Sequence, residues 1–180
     1  MRLRAATPDD AAAMAEIYAT YVTGSAVSFE TEAPDAAAMR GRIEASGDLY
    51  PWLVGEADGT ILGYAYAAPF RTRPAYRFTV ETTIYLRPEA AGRGLGARLY
   101  EPLLAILEAQ GFTQAIAAIT LPNEASVRLH ERLGYAAAGI YRQVGWKLDA
   151  WHDVGLWQKA LAPAGAPPAE PRPASLEGFL

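Results

Sequence analysis

Three glycines at alternate positions, Gly92, Gly94 and Gly96, stand between a run that reads as a strand and one that reads as a helix. Upstream, residues 78–86 are rich in β-branched and aromatic side chains and close on Arg87 and Pro88, the pattern of a strand with a hard stop. Downstream, Leu95, Leu99, Leu103 and Leu107 recur at steps of four and Gly111 follows, which predicts a helix that buries one stripe and ends on glycine. Pro102 falls inside this pattern and is expected to kink the helix or cost it a hydrogen bond. A strand that turns through glycines into a helix points to an α/β chain in which helices cross between strands.

The flanking segments extend that arrangement. Residues 2–6 read as a short strand. Thr7, Pro8, Asp9 and Asp10 supply a cap, a first-turn proline and two acids for the dipole of a helix whose buried face is Met14, Ile17, Tyr18 and Tyr21. A second helix is expected over 35–46, with Met39 and Ile43 inward and Gly47 as its stop. Residues 52–57 and 60–68 flank Asp58 and Gly59, a favoured two-residue hairpin turn. A strand over 114–120 follows, then a helix capped by Asn123 and ending at Gly134, then a strand pair from 140 to about 161. The order predicts a mixed α/β domain, its sheet mostly antiparallel with a parallel portion where a helix crosses over. Residues 1–161 are expected to form the domain. Residues 162–180 lose periodicity and turn rich in Pro and Ala, as a tail that is extended, disordered or draped on the surface.

Composition narrows the chemistry. The 180 residues carry a net charge of −4, so a general nucleic-acid or anionic-membrane surface is not expected, and a polyanionic ligand must be met by local donors. With no cysteine there is no disulfide, thiolate metal site or cysteine nucleophile; two histidines without an HExxH spacing make no zinc motif. No run approaches the roughly 18 apolar residues of a membrane span, and Met1, Arg2, Leu3 and Arg4 lack the apolar stretch of a signal peptide. The expected location is the cytoplasm.

The glycine turn allows two readings. A strand-to-helix turn with a packing glycine needs nothing more. Equally, glycines let backbone approach a ligand with no Cβ in the way, and the first N–H groups of the helix form an anion site suited to a pyrophosphate. No Gly-Lys-Ser/Thr ending marks a P-loop. A Rossmann fingerprint would sit early in a βαβ unit with an acid downstream, whereas this turn comes mid-chain after a hairpin.

A second pattern is more specific: Asn123, Ser126, His130, Glu131, Gly134 and Tyr135, spaced as Asn-x-x-Ser-x-x-x-His-Glu-x-x-Gly-Tyr. Here the chain resembles the GNAT superfamily of N-acetyltransferases, the glycine turn being similar to its pyrophosphate loop. Tyr50-Pro51-Trp52-Leu53-Val54, Glu81-Thr82-Thr83-Ile84-Tyr85, Glu108-Ala109-Gln110-Gly111-Phe112 and Trp151-His152-Asp153-Val154-Gly155 resemble the phosphinothricin and methionine sulfoximine acetyltransferase branch. The likeness spans about residues 2 to 161. It implies the GNAT fold: helices flank a mixed, mostly antiparallel sheet that splays between its fourth and fifth strands, with acetyl-CoA in the gap. It implies that backbone groups of Thr83, Ile84 and Tyr85 hold pantetheine and thioester. The turn Ala91, Gly92, Arg93, Gly94, Leu95 and Gly96 would hold the pyrophosphate, and Asn123 with Ser126 the far side of the pantetheine. Ala91 departs from the family's usual Gln or Arg. Arg93 is the side chain expected to compensate, with slightly weaker binding.

Acetylation of an amino acid requires its ammonium group to lose a proton and an oxyanion to find donors already in place. Glu81 lies mid-strand with no other charge from 78 to 86. Alternation alone favours a solvated face for it; the resemblance makes it the base, with a backbone N–H near Ile84 as oxyanion donor. His130 matches a family histidine and is the second catalytic candidate, while Tyr141 is a weaker candidate for protonating the thiolate. His152 and Asp153 are read as packing or dimer contacts. Arg71, Arg73 and Tyr76 would be loop residues on their own; the branch places two basic residues and a tyrosine at matching positions to grip an acceptor carboxylate or phosphinate, a task suited to arginine. Phe29 resembles the aromatic lid over the acceptor. The resemblance thus implies acetylation of a small amino-acid-like acceptor by a homodimer, with no metal. The alternatives are a GNAT enzyme for another amine, such as a protein N-terminus or polyamine, and an acetyl-CoA-binding module without turnover. The arginine pair argues against cationic acceptors, and Glu81 with His130 against loss of turnover.

Overall fold

The structure, a computed structural model, describes residues 1–163, 165 and 168–180. Strand β1 (Arg2–Ala5) leads through a 3-10 turn into helices α1 (Ala11–Gly24) and α2 (Ala36–Ser46). Strands β2 (Trp52–Ala57), β3 (Thr60–Pro69) and β4 (Thr79–Leu86) follow, then helix α3 (Leu95–Ala109) and strand β5 (Gln114–Leu121). Helix α4 (Glu124–Arg132) and strands β6 (Ala136–Lys147) and β7 (Ala150–Ala160) complete the domain. One seven-stranded sheet runs β1-β2-β3-β4-β5-β7-β6. Every neighbouring pair is antiparallel except β4 and β5, which α3 connects as a parallel crossover. The expected mixed sheet, mostly antiparallel with one parallel crossover and helices on its faces, is therefore present. Among the described residues no helix is long and apolar enough to cross a membrane.

Local signals explain the element ends. Asp35 Oδ1 accepts the Ala38 N–H at 2.7 Å and starts α2; Asn123 does the same for Ser126 at 3.1 Å and starts α4. Asp58 and Gly59 take positive φ of 50° and 75° in the β2–β3 turn, the left-handed pair such a hairpin requires. Gly111, at φ 93°, lets Phe112 N–H return to Leu107 O and closes α3.

Two expectations gain detail and a third needs correction. Pro102 has no N–H to give and so costs α3 a hydrogen bond as expected, yet the helix runs unbroken from Leu95 to Ala109, its buried face packed on the sheet through Leu99, Leu103, Ile106 and Leu107. Asp10 stands at the N-cap of α1, as expected, and has further partners. Its carboxylate receives Arg4 at 2.7 and 2.8 Å and Thr7 N–H at 2.7 Å, tying β1 to the helix start. The last strand pair begins at Ala136 rather than 140, since Ala136 pairs with Gln158 in β7.

Two cores lie on opposite faces of the sheet. One packs α3 with Val80, Ala115, Ala117, Ile119 and Trp157. The other packs α1 and α2 on Val54, Ile61, Tyr64 and Tyr85. The 162–180 tail includes residues 164, 166 and 167, which lie outside the described residues. Its remaining part lies along the body: Arg172 N–H donates to Gln110 O at 2.9 Å, and Leu176 and Phe179 pack on the α3 core.

Candidate active site

The parallel pairing of β4 with β5 is short. It joins Thr79 to Gln114, Val80 to Ala115 and Glu81 to Ile116, and goes no further. Beyond Glu81 the two strands part, and the cleft between them is lined by Thr82, Thr83, Ile84, Tyr85, Asn123, Ser126 and His130, among others. Glu81 thus stands at the point of divergence.

Backbone parity decides which groups face the cleft. Arg87 N–H donates to Leu62 O in β3 at 2.8 Å. In an antiparallel ladder, bonded pairs recur every second residue. Tyr85, Thr83 and Glu81 therefore also turn their backbone groups to their β3 partners Tyr64, Tyr66 and Ala68. Thr82, Ile84 and Leu86 turn theirs the other way. Leu86 is covered from α1: Tyr21 Oη donates to Leu86 O at 2.6 Å and accepts its N–H at 3.4 Å. That leaves Ile84 as the open rung. Of the three residues expected to offer backbone to a ligand, Ile84 turns its N–H and C=O toward the cleft, while Thr83 and Tyr85 line it with their backbones paired to β3.

The glycine turn divides its work. Gly92 and Gly94 have φ of 74° and 78°, with nothing within 4 Å of where a Cβ would stand. They shape the turn and leave its outer surface open. Arg98 N–H, on Gly94 O at 3.2 Å, is the first helical bond of α3, so the N–H groups of Leu95, Gly96 and Ala97 have no helical acceptor. Gly96 is a packing residue: a Cβ there would lie 2.9 Å from a Leu129 methyl of α4. Leu95 buries its side chain in the core and has only backbone to offer. Ala91 N–H is engaged by Pro88 O at 3.2 Å, so the cradle begins at Gly92. Arg93 is exposed beside it.

Asn123 uses its side-chain oxygen as the α4 cap, leaving its amide nitrogen for a ligand. His130 is 3% exposed. Its Nδ1 faces Ser126 O at 2.8 Å, an acceptor, so Nδ1 carries the hydrogen. Nε2 is then an acceptor and takes Tyr100 Oη–H at 3.0 Å. Burial pushes the imidazole pKa down, against the pull of Ser126 O, and favours the neutral ring. Both ring nitrogens of His130, the second catalytic candidate, are thus engaged, one by Ser126 O and one by Tyr100 Oη. Nearby, Tyr135 Oη donates to Thr82 Oγ1 at 2.8 Å, and Thr82 donates to Ile116 O at 3.3 Å, inside the fork of the sheet. Tyr100 and Thr82 carry no mark in the sequence. The one available signal was a tyrosine set directly beside the leucine stripe of α3.

Glu81 is half-buried. Burial raises its carboxyl pKa above the ordinary range, and the Arg71 charge opposes that rise. Arg71 stacks over Phe70 at 5.0 Å and Tyr76 at 5.8 Å. Together with Thr72, Arg73 and Tyr76 it lines a hollow of about 370 Å³. Phe29 lies on the β6–β7 hairpin, its ring filling the space where Gly145 lacks a Cβ and 6.3 Å from the His152 ring. Lys147 Nζ donates to Ser28 O and fastens that loop. Tyr141 is exposed on β6 and is not among the cleft-lining residues. His152 Nε2 meets Lys147 O at 2.9 Å and Asp153 holds Arg142 at 2.9 Å, so both brace the hairpin. Among the described residues no three His, Asp or Glu side chains gather as a metal set.

The arrangement offers an open backbone rung, a turn with unengaged N–H groups at one end and a half-buried carboxylate near Arg71 at the other. The family model described as "Acetyltransferase (GNAT) domain" matches residues 3–156. A phosphinothricin N-acetyltransferase of Streptomyces viridochromogenes is 45% identical over 96% of this chain and 92% of its own length. An L-methionine sulfoximine/L-methionine sulfone acetyltransferase of Salmonella typhimurium is 35% identical over 94% of this chain and 99% of its own. The crystal structure of a phosphinothricin acetyltransferase from Sinorhizobium meliloti in complex with acetyl-CoA superposes with a TM-score of 0.88 at 37% identity, covering 98% of this chain and 94% of that one.

Proposed function

This chain belongs to the GNAT acetyltransferase family, and on that footing we propose that it moves an acetyl group from acetyl-CoA to the amino group of phosphinothricin or an oxidised methionine such as the sulfoximine or sulfone. The observation that carries this reading is the position of Glu81 at the last β4–β5 rung, beside the open rung of Ile84 and next to Arg71.

Acetyl-CoA supplies the activated acyl group. Ile84 N–H and C=O would hold it along β4, the N–H groups from Gly92 to Ala97 and Arg93 its phosphates, and the Asn123 amide with Ser126 its other side. Thr83 and Tyr85 would line that channel. Arg71 and Arg73 would grip the acceptor's carboxylate and phosphinate or sulfone oxygens, with Tyr76 beside them and Phe29 above. Glu81 takes the ammonium proton, directly or through one water. The amine lone pair then attacks the acetyl carbonyl carbon and the N–C bond forms; as the C–S bond breaks, the nitrogen gives up its second proton, which the departing thiolate takes up, leaving the amide and CoA thiol. Ile84 N–H is aimed at the developing oxyanion. His130 holds Tyr100 against the channel wall.

Residues 1–161 form the catalytic domain in this reading, and its acetyl-CoA dependence accords with the cytoplasm. A second copy is expected to cover the β6–β7 hairpin, where Ile140, Tyr141, Val144, Trp146, Leu148 and Trp151 are exposed together, a patch of the kind that marks an interface. Sedimentation should give a dimer for the native chain and a monomer for a Trp146→Ser/Trp151→Ser variant.

The deciding assay is release of CoA thiol with phosphinothricin, methionine sulfoximine, methionine sulfone, the common amino acids, spermidine and a peptide with a free N-terminus. Turnover is expected with the first three. Turnover confined to spermidine or the peptide would transfer the assignment to another amine; none at all, with acetyl-CoA bound, would leave a binding module.

A further inference from the structure

The segment before β4 is held in shape from the far end of the chain. Tyr76 N–H donates to Arg73 O at 3.0 Å and Arg77 N–H to Pro74 O at 3.1 Å, forming the 3-10 turn Pro74–Tyr76. Arg77 continues this with its side chain, Nη1 donating to the same Pro74 carbonyl at 3.1 Å. Its other edge makes a fork on Glu170, with Nε at 2.9 Å from both oxygens and Nη2 at 2.8 Å from Oε1. The guanidinium also lies flat over Phe78, 4.2 Å from the ring centre. Glu170 is anchored in turn. Two residues on, Arg172 N–H donates to Gln110 O at 2.9 Å, and Leu176 and Phe179 pack on the α3 core.

We propose that the C-terminal segment is a strap that positions the acceptor-gripping turn, with Glu170 acting through Arg77 to set Arg73 and Tyr76. This rests on the acceptor reading above. The physical argument is one of preorganisation. An arginine holding its own turn's carbonyl can leave that carbonyl by rotating, and a bidentate carboxylate on its opposite edge fixes the plane that keeps the bond. The turn is short and exposed; Phe70 and Arg71 steady the Tyr76 ring, and the Arg77 fork adds a restraint on the turn's backbone before an acceptor arrives. The fork is solvent-exposed, so its effect is modest and screened by salt. Each charge favours its partner's ionised form: Arg77 draws the Glu170 carboxyl below its usual range, and Glu170 raises the guanidinium.

The test is steady-state kinetics of Glu170→Gln, with phosphinothricin and methionine sulfone as acceptors. The acceptor KM should rise about two- to fivefold at low ionic strength, while kcat, acetyl-CoA KM and Tm stay as in the native chain. The rise should shrink in about 1 M salt, be reversed by Glu170→Asp, and vanish in an Arg77→Gln background. An unchanged acceptor KM, or the same rise in the Arg77→Gln background, overturns the proposal. Arg73→Ala, measured alongside, separates the two readings. If it raises the acceptor KM and Glu170→Gln does not, the strap alone fails; if neither moves it, the acceptor site fails and the strap with it.

Discussion

Glu81→Gln keeps the shape of the side chain and removes its basicity. A general base contributes about a hundred- to ten-thousandfold to rate, equivalent to about 2.7 to 5.5 kcal/mol of barrier. Burial raises the proton affinity of Glu81, and the nearby Arg71 charge only offsets the rise, so the carboxylate is a stronger acceptor than one in water. We expect kcat to fall roughly a thousandfold with acetyl-CoA affinity unchanged. The same burial makes an opposite prediction for stability. A carboxyl whose folded pKa lies above its unfolded value binds its proton more tightly in the native state, so native stability declines as pH rises from the unfolded pKa through the folded one. Glu81→Gln removes that decline. Its Tm should exceed the native Tm at pH 7, and the gap should close near about pH 4, where the native side chain is also neutral. Stopped-time thiol release and a pH series of thermal melts read both arms. A variant with kcat within about threefold of native, or with a lower Tm at pH 7, refutes the argument that a desolvated Glu81 is the base.

Arg71→Ala should move the acidic limb of the kcat profile to higher pH, because it removes the charge that restrains the Glu81 pKa; a limb that stays or moves down is inconsistent with their proximity. Gly94→Val places a β-branched side chain at φ 78°, costing about 1–2 kcal/mol, and should raise the acetyl-CoA KM far more than the acceptor KM. Tyr100→Phe strands His130 Nε2 as a buried acceptor and should lower stability by about 1–3 kcal/mol in urea melts; a neutral effect would mean that His130 does not depend on Tyr100.

The proposed split between cofactor and acceptor ends of the site follows from β4 alone in one respect and not in another. That Glu81 is an isolated carboxylate in an apolar strand is plain in the sequence. Whether its environment is solvent or a cleft depends on how far β5 follows β4, and β5 is separated from it by the whole of α3. Thr83, Ile84 and Tyr85 look equivalent as a string. Only the register with β3 separates them, by directing the groups of alternate residues to opposite neighbours. The same holds for Gly94 and Gly96: identical residues, one in a left-handed turn, the other under Leu129.

The sequence by itself determined what short-range physics can specify. Caps at Asp35 and Asn123, the Asp58-Gly59 turn, the glycine stops and the leucine stripe of α3 each depend on neighbours within a few residues. The motif spacing around Asn123 and His130 was legible for the same reason, being set on one helix. Tertiary structure decided what depends on partners distant in the chain: the unbroken α3 through Pro102, the early start of β6 on Gln158, the engaged nitrogens of His130, and the course of the C-terminal strap. Backbone hydrogen bonds and buried polar groups must find partners wherever the fold brings them, and those partners cannot be read from either segment alone.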